Sequence, residues 1–271
     1  MRGLNRFAQI RGRRLALAVL VSALAAFALG ARCIENTSVF VDESGYTHIY
    51  GEMYNDTTIQ GSAILLNGVL LDANGGVIAA KSTAICPPDS QPGKQSVFDI
   101  KFDQPNLPPH ASYKVSAIGG KALNAPLPDP NVLVLSTDAI QLIGVPEWFP
   151  PEFPYENGDV FFRVGLRNRS QTIYTGLQGC AAAYNNAGQV IAVADDEFGY
   201  FDADDNFITP ADLHFATRED FSFYMGAVPD NAAYVRGWLW FGNPGDPTSQ
   251  YQFIMSGPIT LQEFRLFSDG Q

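Results

Sequence analysis

Between residues 34 and 268 the apolar positions recur with a period of two. In SVFDIKF, Phe98, Ile100 and Phe102 alternate with Asp99 and Lys101. Similar short runs follow one another along the chain: HIYGEMY, SYKVSAI, VFFRVGLR, DFSFYM and AYVRGWLWF. Alternation of this kind marks strands with one face on a core. Turn-forming residues bound the runs, and no stretch carries a convincing amphipathic-helix pattern.

The pattern occurs twice. A shift of 113 residues superposes Glu43, Gly45 and Asn55 on Glu156, Gly158 and Asn168. The same shift carries Gly75, Val77, Ile78 and Ala79 onto Gly188, Val190, Ile191 and Ala192. In both copies a strand ends at an Asn, a residue that supports a turn. A second and a third strand then flank a tight turn, Asp72 to Gly75 in one copy and Asn185 to Gly188 in the other. Asx at the start and Gly at the end is hairpin chemistry. A Phe-rich strand, a Pro-containing loop and a Tyr-bearing strand follow in each copy. NVLVLSTDAIQLI and PITLQEFRLF read as the closing strands.

About seven short strands per copy predict an all-β chain of two tandem immunoglobulin-like antiparallel β-sandwiches. The expected first sandwich is 34–143, and the second is 144–268 with an acidic insertion at 195–212. The Pro-rich, aromatic VPEWFPPEFPY connects them, stiffened by its prolines or plugging the interface with its aromatics.

Ahead of the repeats lies a different composition. Arg2, Arg6, Arg11, Arg13 and Arg14 precede an apolar run from Leu15 to Leu29 and a small-residue exit at Ala28-Leu29-Gly30. This is the layout of a secretory signal over 1–30. The run is short for a membrane span of about 20 residues, which favours cleavage over a retained anchor. Arg32 stands where lipidation of Cys33 would need a small residue. The expected location is the extracellular space or the cell envelope.

Export changes the charge balance. With the five leader arginines set aside, twelve basic residues face 28 acidic ones, a net charge of −16. Such a surface repels nucleic acid and anionic membranes. It leaves membrane attachment only to an uncleaved N-terminal segment, and points to an envelope or extracellular protein or a polysaccharide as partner. Export also permits disulfides. Of the three cysteines, Cys33 and Cys86 form the expected pair, and Cys180, inside GLQGCAAAY, reads as a small buried apolar residue.

The segment Gly51-Glu52-Met53-Tyr54-Asn55, with Leu70-Leu71-Asp72 and Gly75-x-Val77-Ile78, resembles the FxLYD domain family. That family has a G-E-V-x-N strand end and an L-Y-D-x-x-G hairpin, and occurs in exported bacterial and archaeal proteins. The resemblance covers 39–120 well. The second copy is divergent: it keeps Asn168, and Tyr184 with Asn185, and Gly68 and Ala181 replace the motif's Phe in the two copies. The resemblance implies a β-fold and export, and it transfers no catalytic residue.

No catalytic motif appears. His48, His110 and His214 are far apart in sequence, and G-x-S-x-G, H-E-x-x-H and P-loop patterns are absent. The chain therefore reads as non-catalytic. Two leads remain. Asp202, Asp204 and Asn206 alternate as hard oxygen ligands of a candidate calcium loop, although Phe207 and Leu213 break the EF-hand pattern. The competing reading is a solvated acidic loop without a cofactor. The second lead is Tyr234, Arg236, Trp238 and Trp240, which period two places on one face of a strand. If Tyr113, Val115 and Ala117 are their counterparts, that face is core, and Leu239 and Phe241 are covered by the other domain or a partner. If the face is exposed, an Arg among tryptophans forms a stacking platform for sugar or peptide.

Three functions remain open at this point: an exported non-catalytic scaffold or binding protein, a carbohydrate-binding or adhesive accessory protein that calcium stabilises, and a hydrolase with an unrecognised interdomain site. The sequons at Asn36, Asn55 and Asn168 matter only in a glycosylating host.

Overall fold

Alternating side chains, broken every eight to twelve residues by Gly, Asn or Pro, fold here into antiparallel sheets. The computed structural model describes residues 32–123, 133–144, 159–197, 200–201, 207–208, 211–213, 218–241 and 252–260. Every regular element among them is a strand. The first half holds β1 (Arg32–Val41), β2 (Tyr46–Asn55), β3 (Gln60–Leu71), β4 (Val77–Ala84), β5 (Asp89–Ser90), β6 (Gln95–Pro105) and β7 (Ser112–Leu123). The second opens with β8 (Leu133–Gly144), β9 (Asp159–Asn168), β10 (Tyr174–Asn185) and β11 (Val190–Glu197). The pieces β12 (Tyr200–Phe201), β13 (Phe207–Ile208) and β14 (Ala211–Leu213) precede β15 (Arg218–Ala227) and β16 (Ala232–Phe241), and β17 (Gln252–Met255) and β18 (Ile259–Thr260) follow.

Both halves are wired alike. In the first, a sheet ordered β1-β2-β6 faces one ordered β4-β3-β7, with β5 also paired to β3. In the second, β8-β9-β15 faces β11-β10-β16-β17. Each half encloses its own apolar core. Ile49, Met53, Ile64, Leu66, Leu70, Phe98, Ile100 and Phe102 fill one. Phe162, Val164, Leu166, Leu177, Ala181, Ala183, Val235, Leu239 and Phe241 fill the other.

The local devices are duplicated as well. Asn55 Oδ1 accepts from the amide and hydroxyl of Thr57, and Asn55 Nδ2 donates to Ile59 O. Asn168 repeats this with Ser170 and Thr172. Both Asn side chains are fully buried, so they serve as turn cores and offer no surface amide for glycosylation. The two hairpins also match: Asp72 and Asn185 accept amides of their own turns, which close at Gly75 (φ +80°) and Gly188 (φ +75°). Left-handed backbone at these positions is what Gly supplies at no steric cost.

Two expectations change. The segment around β8, expected as the last strand of the first sandwich, pairs with β9. It stands to β9 as β1 stands to β2, and β1 already occupies the corresponding edge of the first half. The assumed match of Tyr113 to Tyr234 is one residue out of register. Tyr113 pairs with Leu70, and the partner of Ala183, the residue equivalent to Leu70, is Val235. A one-residue slip exchanges the two faces of a strand. Hence Val235, Leu239 and Phe241 face their own core, and the Tyr234 face points the other way.

Gly237 lies on the core side of β16. A β-carbon there would stand 2.3 Å from Cζ of the buried Phe162 and 2.8 Å from both its Cε atoms. Phe162 is fully buried, so the ring can yield only by displacing its core neighbours. Gly237→Ala is expected to destabilise the fold by about 1–3 kcal/mol through overpacking. The check is a urea titration in which the midpoint falls at unchanged slope; an unchanged midpoint would mean the ring relocates freely.

Candidate functional site

The outward face of β1-β2-β6 meets the outward face of β11-β10-β16, and the contact builds a third buried cluster. It joins Tyr50 and Val97 of the first half to Cys180, Ala182, Tyr184, Val190, Trp238 and Trp240 of the second. Strand alternation explains the membership. On β2, Ile49 and Met53 enter the first core while Tyr50 and Glu52 point away from it. On β10, Ala181 and Ala183 enter the second core while Cys180, Ala182 and Tyr184 point away.

Tyr234, Arg236, Trp238 and Trp240 belong to this joint. Trp238 is fully buried and Trp240 nearly so. The Trp238 indole Nε1 donates to Gln95 O at 2.9 Å, and Arg236 Nη1 donates to Gln95 Oε1 at 3.2 Å. Tyr184 and Tyr234 stack at 4.7 Å with the Arg236 guanidinium over both rings, 5.7 and 5.6 Å from their centroids. Both faces of the strand are covered, as core and interface packing required, but with the faces exchanged: Leu239 and Phe241 enter their own core, and the first half of the same chain occupies the Tyr234 face, which leaves no exposed sugar- or peptide-stacking platform there. In the first half the corresponding positions of β7 are Ser112, Lys114 and Ser116, and they are exposed. One face thus carries two compositions according to whether it is covered.

A carboxylate sits inside the joint. Glu52, 1% exposed, accepts from the Tyr184 hydroxyl at 2.5 Å through Oε1. Its Oε2 accepts from Asn36 Nδ2 at 2.5 Å and Gln95 Nε2 at 3.3 Å. Burial, then the Glu52 charge, push the Tyr184 hydroxyl far above its ordinary titration range. Tyr184 is thus a permanent donor and Glu52 a satisfied acceptor, as a buried charge requires. Ser38 Oγ also donates to Val190 O across the joint.

The joint is closed covalently. Cys86 and Cys180 form a disulfide with Cα atoms 6.3 Å apart, which corrects the Cys33–Cys86 pairing; Cys180 is buried as expected but is half of the disulfide and not simply a small apolar residue. Cys33 is free and exposed. Sheet order is the reason: Cys33 stands beside Tyr54 on the far side of β2, whereas Cys86 bridges to Val97 of β6. Cys180 points out of its own core directly at the first half, a direction its apolar sequence neighbours did not reveal.

Next to the joint, the β2–β6 face holds a second polar group. His48 is buried, with 6% of the residue exposed. Its Nδ1 lies 2.9 and 3.0 Å from the two oxygens of Asp99, and its Nε2 lies 3.3 Å from Asp42 Oδ2. Lys101 Nζ is 3.5 Å from the same Asp42 oxygen and 4.6 Å above the Tyr46 ring. His48 stacks on Tyr50 at 5.4 Å. Sequence reading missed both the Glu52 and the His48 groups. The only available signal was polar residues at alternate positions, His48 and Glu52 on one strand, Asp99 and Lys101 on another. Their pairing depends on the β2–β6 register.

Asp202, Asp204 and Asn206 lie outside the described residues, as does the 1–30 segment. A small apolar cavity between Ala181, Ala183, Ala192, Val193, Ala194, Met225, Val228 and Pro229 carries no polar side chain.

No protein-family model matches the chain. No curated protein matches it either. Among solved structures, a penta-heme cytochrome c552 from Thermochromatium tepidum shares 15% identity at a TM-score of 0.25, over 47% of this chain and 40% of that one. Red sea bream transglutaminase shares 8% identity at a TM-score of 0.23, over 82% of this chain and 31% of that one. The chain thus spans well under half the length of either, and likenesses this weak carry no argument about fold or activity.

Proposed function

We propose that the chain is an exported, non-catalytic scaffold or binding protein of the cell envelope or extracellular space. In this reading it is built from two tandem immunoglobulin-like β-sandwiches and recognises an envelope protein or polysaccharide through its loops. The observation that carries the reading is the joint. A disulfide, two tryptophans and a buried carboxylate network join the two β-units. Rigid presentation of loops is what a recognition module needs. The polar groups gathered there are consumed by structural partners. Disulfides persist in oxidising compartments, and the leader-like composition of 1–30 and the FxLYD-like residues Gly51 to Asn55 and Leu70 to Ile78 support the same address.

The test is export of the complete chain from a bacterial host, followed by thiol counting after denaturation without reductant. The expected product lies outside the cytoplasm, begins near residue 31 and offers one reactive thiol, Cys33. A cytoplasmic product with three reactive thiols would overturn the reading.

A further inference from the structure

We propose that His48 is a protonation-controlled latch on the joint between the two halves: its imidazolium, donating to Asp99 and to Asp42, holds the β2–β6 face on which Tyr50 is seated, and loss of the proton loosens that seat. Both ring nitrogens face carboxylates, at 2.9 Å for Asp99 and 3.3 Å for Asp42. Only the imidazolium donates from both; a neutral ring turns a lone pair toward one of the two anions. The consequence reaches the joint in one step. His48 stacks on Tyr50 two positions along β2, and Tyr50 packs in the cluster that contains Val97, Cys180 and Trp238. Asp99, the nearer partner, stands two residues from Val97 and four from Gln95, whose carbonyl accepts the Trp238 indole.

The groups around the ring are few among the described residues. Asp42 comes from the β1–β2 turn, Asp99 and Lys101 from β6, and Tyr46 and Tyr50 from β2. Phe40 is the cross-strand neighbour on β1 and does not titrate. On β11, Asp195, Asp196 and Glu197 pair along the backbone with Cys180, Gly179 and Gln178 of β10. Burial opposes charge on His48, but the hydrogen bond and charge of Asp99, then Asp42, outweigh burial and Lys101, so its pKa lies above the ordinary value. The stabilisation is therefore complete below the unfolded value of about 6.5 and is lost as pH rises through the raised folded value. Asp42 acts in the opposite sense. Partial burial disfavours its charge, yet the Tyr46 amide, His48 and Lys101 hold its pKa below the ordinary 3.8. Its contribution is present above that value and disappears as pH falls through the lowered one. Together the two groups hold the Tyr50 seat most firmly at mildly acidic pH, above the ordinary Asp42 value and below the ordinary His48 value.

The test follows the His48 ring resonance and the Trp238 indole N–H resonance by NMR from about pH 5 to about pH 9, across the histidine range. In parallel, the rate of Cys86–Cys180 reduction by a water-soluble phosphine is measured, normalised to a small disulfide under the same conditions. The latch requires the two resonances to share a midpoint above the ordinary histidine value. It also requires the reduction rate to rise as pH passes upward through that same midpoint. His48→Gln should flatten both readouts. Should that variant fold poorly, Asp99→Asn serves instead and should lower both midpoints together. The proposal is overturned by a His48 midpoint at or below the ordinary value. A Trp238 resonance that stays still while His48 titrates, or wild-type pH dependence in His48→Gln, also sinks it.

Discussion

Replacing Cys86 and Cys180 together by alanine is expected to lower stability by about 4–5 kcal/mol, the loop-entropy value for a link of this length. The disulfide spans a sequence separation of 94 residues, so its removal frees a long closed loop in the unfolded chain. Alanine suits the site because Cys180 is 1% exposed and sits among Trp238, Tyr184 and Ala182, where a serine hydroxyl would lack a partner. For a chain of this size the midpoint of thermal unfolding should fall by roughly 10–15 °C. Cys33→Ala, at an exposed free thiol, is the control and should leave the midpoint unchanged. If the doubly substituted protein melts within about 2 °C of the parent, the link is not what holds the halves together.

Trp238→Ala should destabilise by about 3–5 kcal/mol, the range for removing a fully buried large aromatic. The indole is 0% exposed, fills the joint and donates its N–H to Gln95 O at 2.9 Å. Truncation leaves a cavity and an orphaned carbonyl in the same place. Trp238→Phe keeps most of the volume and loses the hydrogen bond, so it should fall between the two. Chemical denaturation followed by far-ultraviolet circular dichroism gives the values. The experiment separates the two readings of this face, because a tryptophan on an exposed sugar platform would change stability by less than about 0.5 kcal/mol. A value that small would place Trp238 in solvent and revive the platform.

Much of the first level of structure was legible in the chain. The period of two at Phe98, Ile100 and Phe102 identified core-facing strand positions, and all three are buried in the first core. The 113-residue repeat anticipated matching strands, β2 with β9 and β4 with β11, and the twin turns at Asn55 and Asn168. These features are local, set by side-chain alternation and by turn residues bonding to their own backbone.

What failed was non-local. The composition of AYVRGWLWF, apolar on both faces, correctly required two buried sides. Which side met which neighbour turned on one residue of register against β10, and the shared tyrosine was a poor guide because the preceding loops differ. The Cys86–Cys180 link and the gathering of His48, Asp42 and Asp99 likewise depend on sheet order and strand pairing, to which residue spacing is blind.

Alternating strands, a duplicated plan and turns closed by Asx and Gly are local properties of the chain, because each is chosen by a residue together with its near neighbours. That β8 joins the second half, that the aromatic face of β16 packs on the first half, and that Cys180 reaches Cys86 emerge only once the sheets have paired and docked. Those outcomes follow from docking two sheets face to face. There the stabilisation comes from burying Trp238, Trp240 and Tyr50 together while satisfying Glu52, and no one strand carries that information alone.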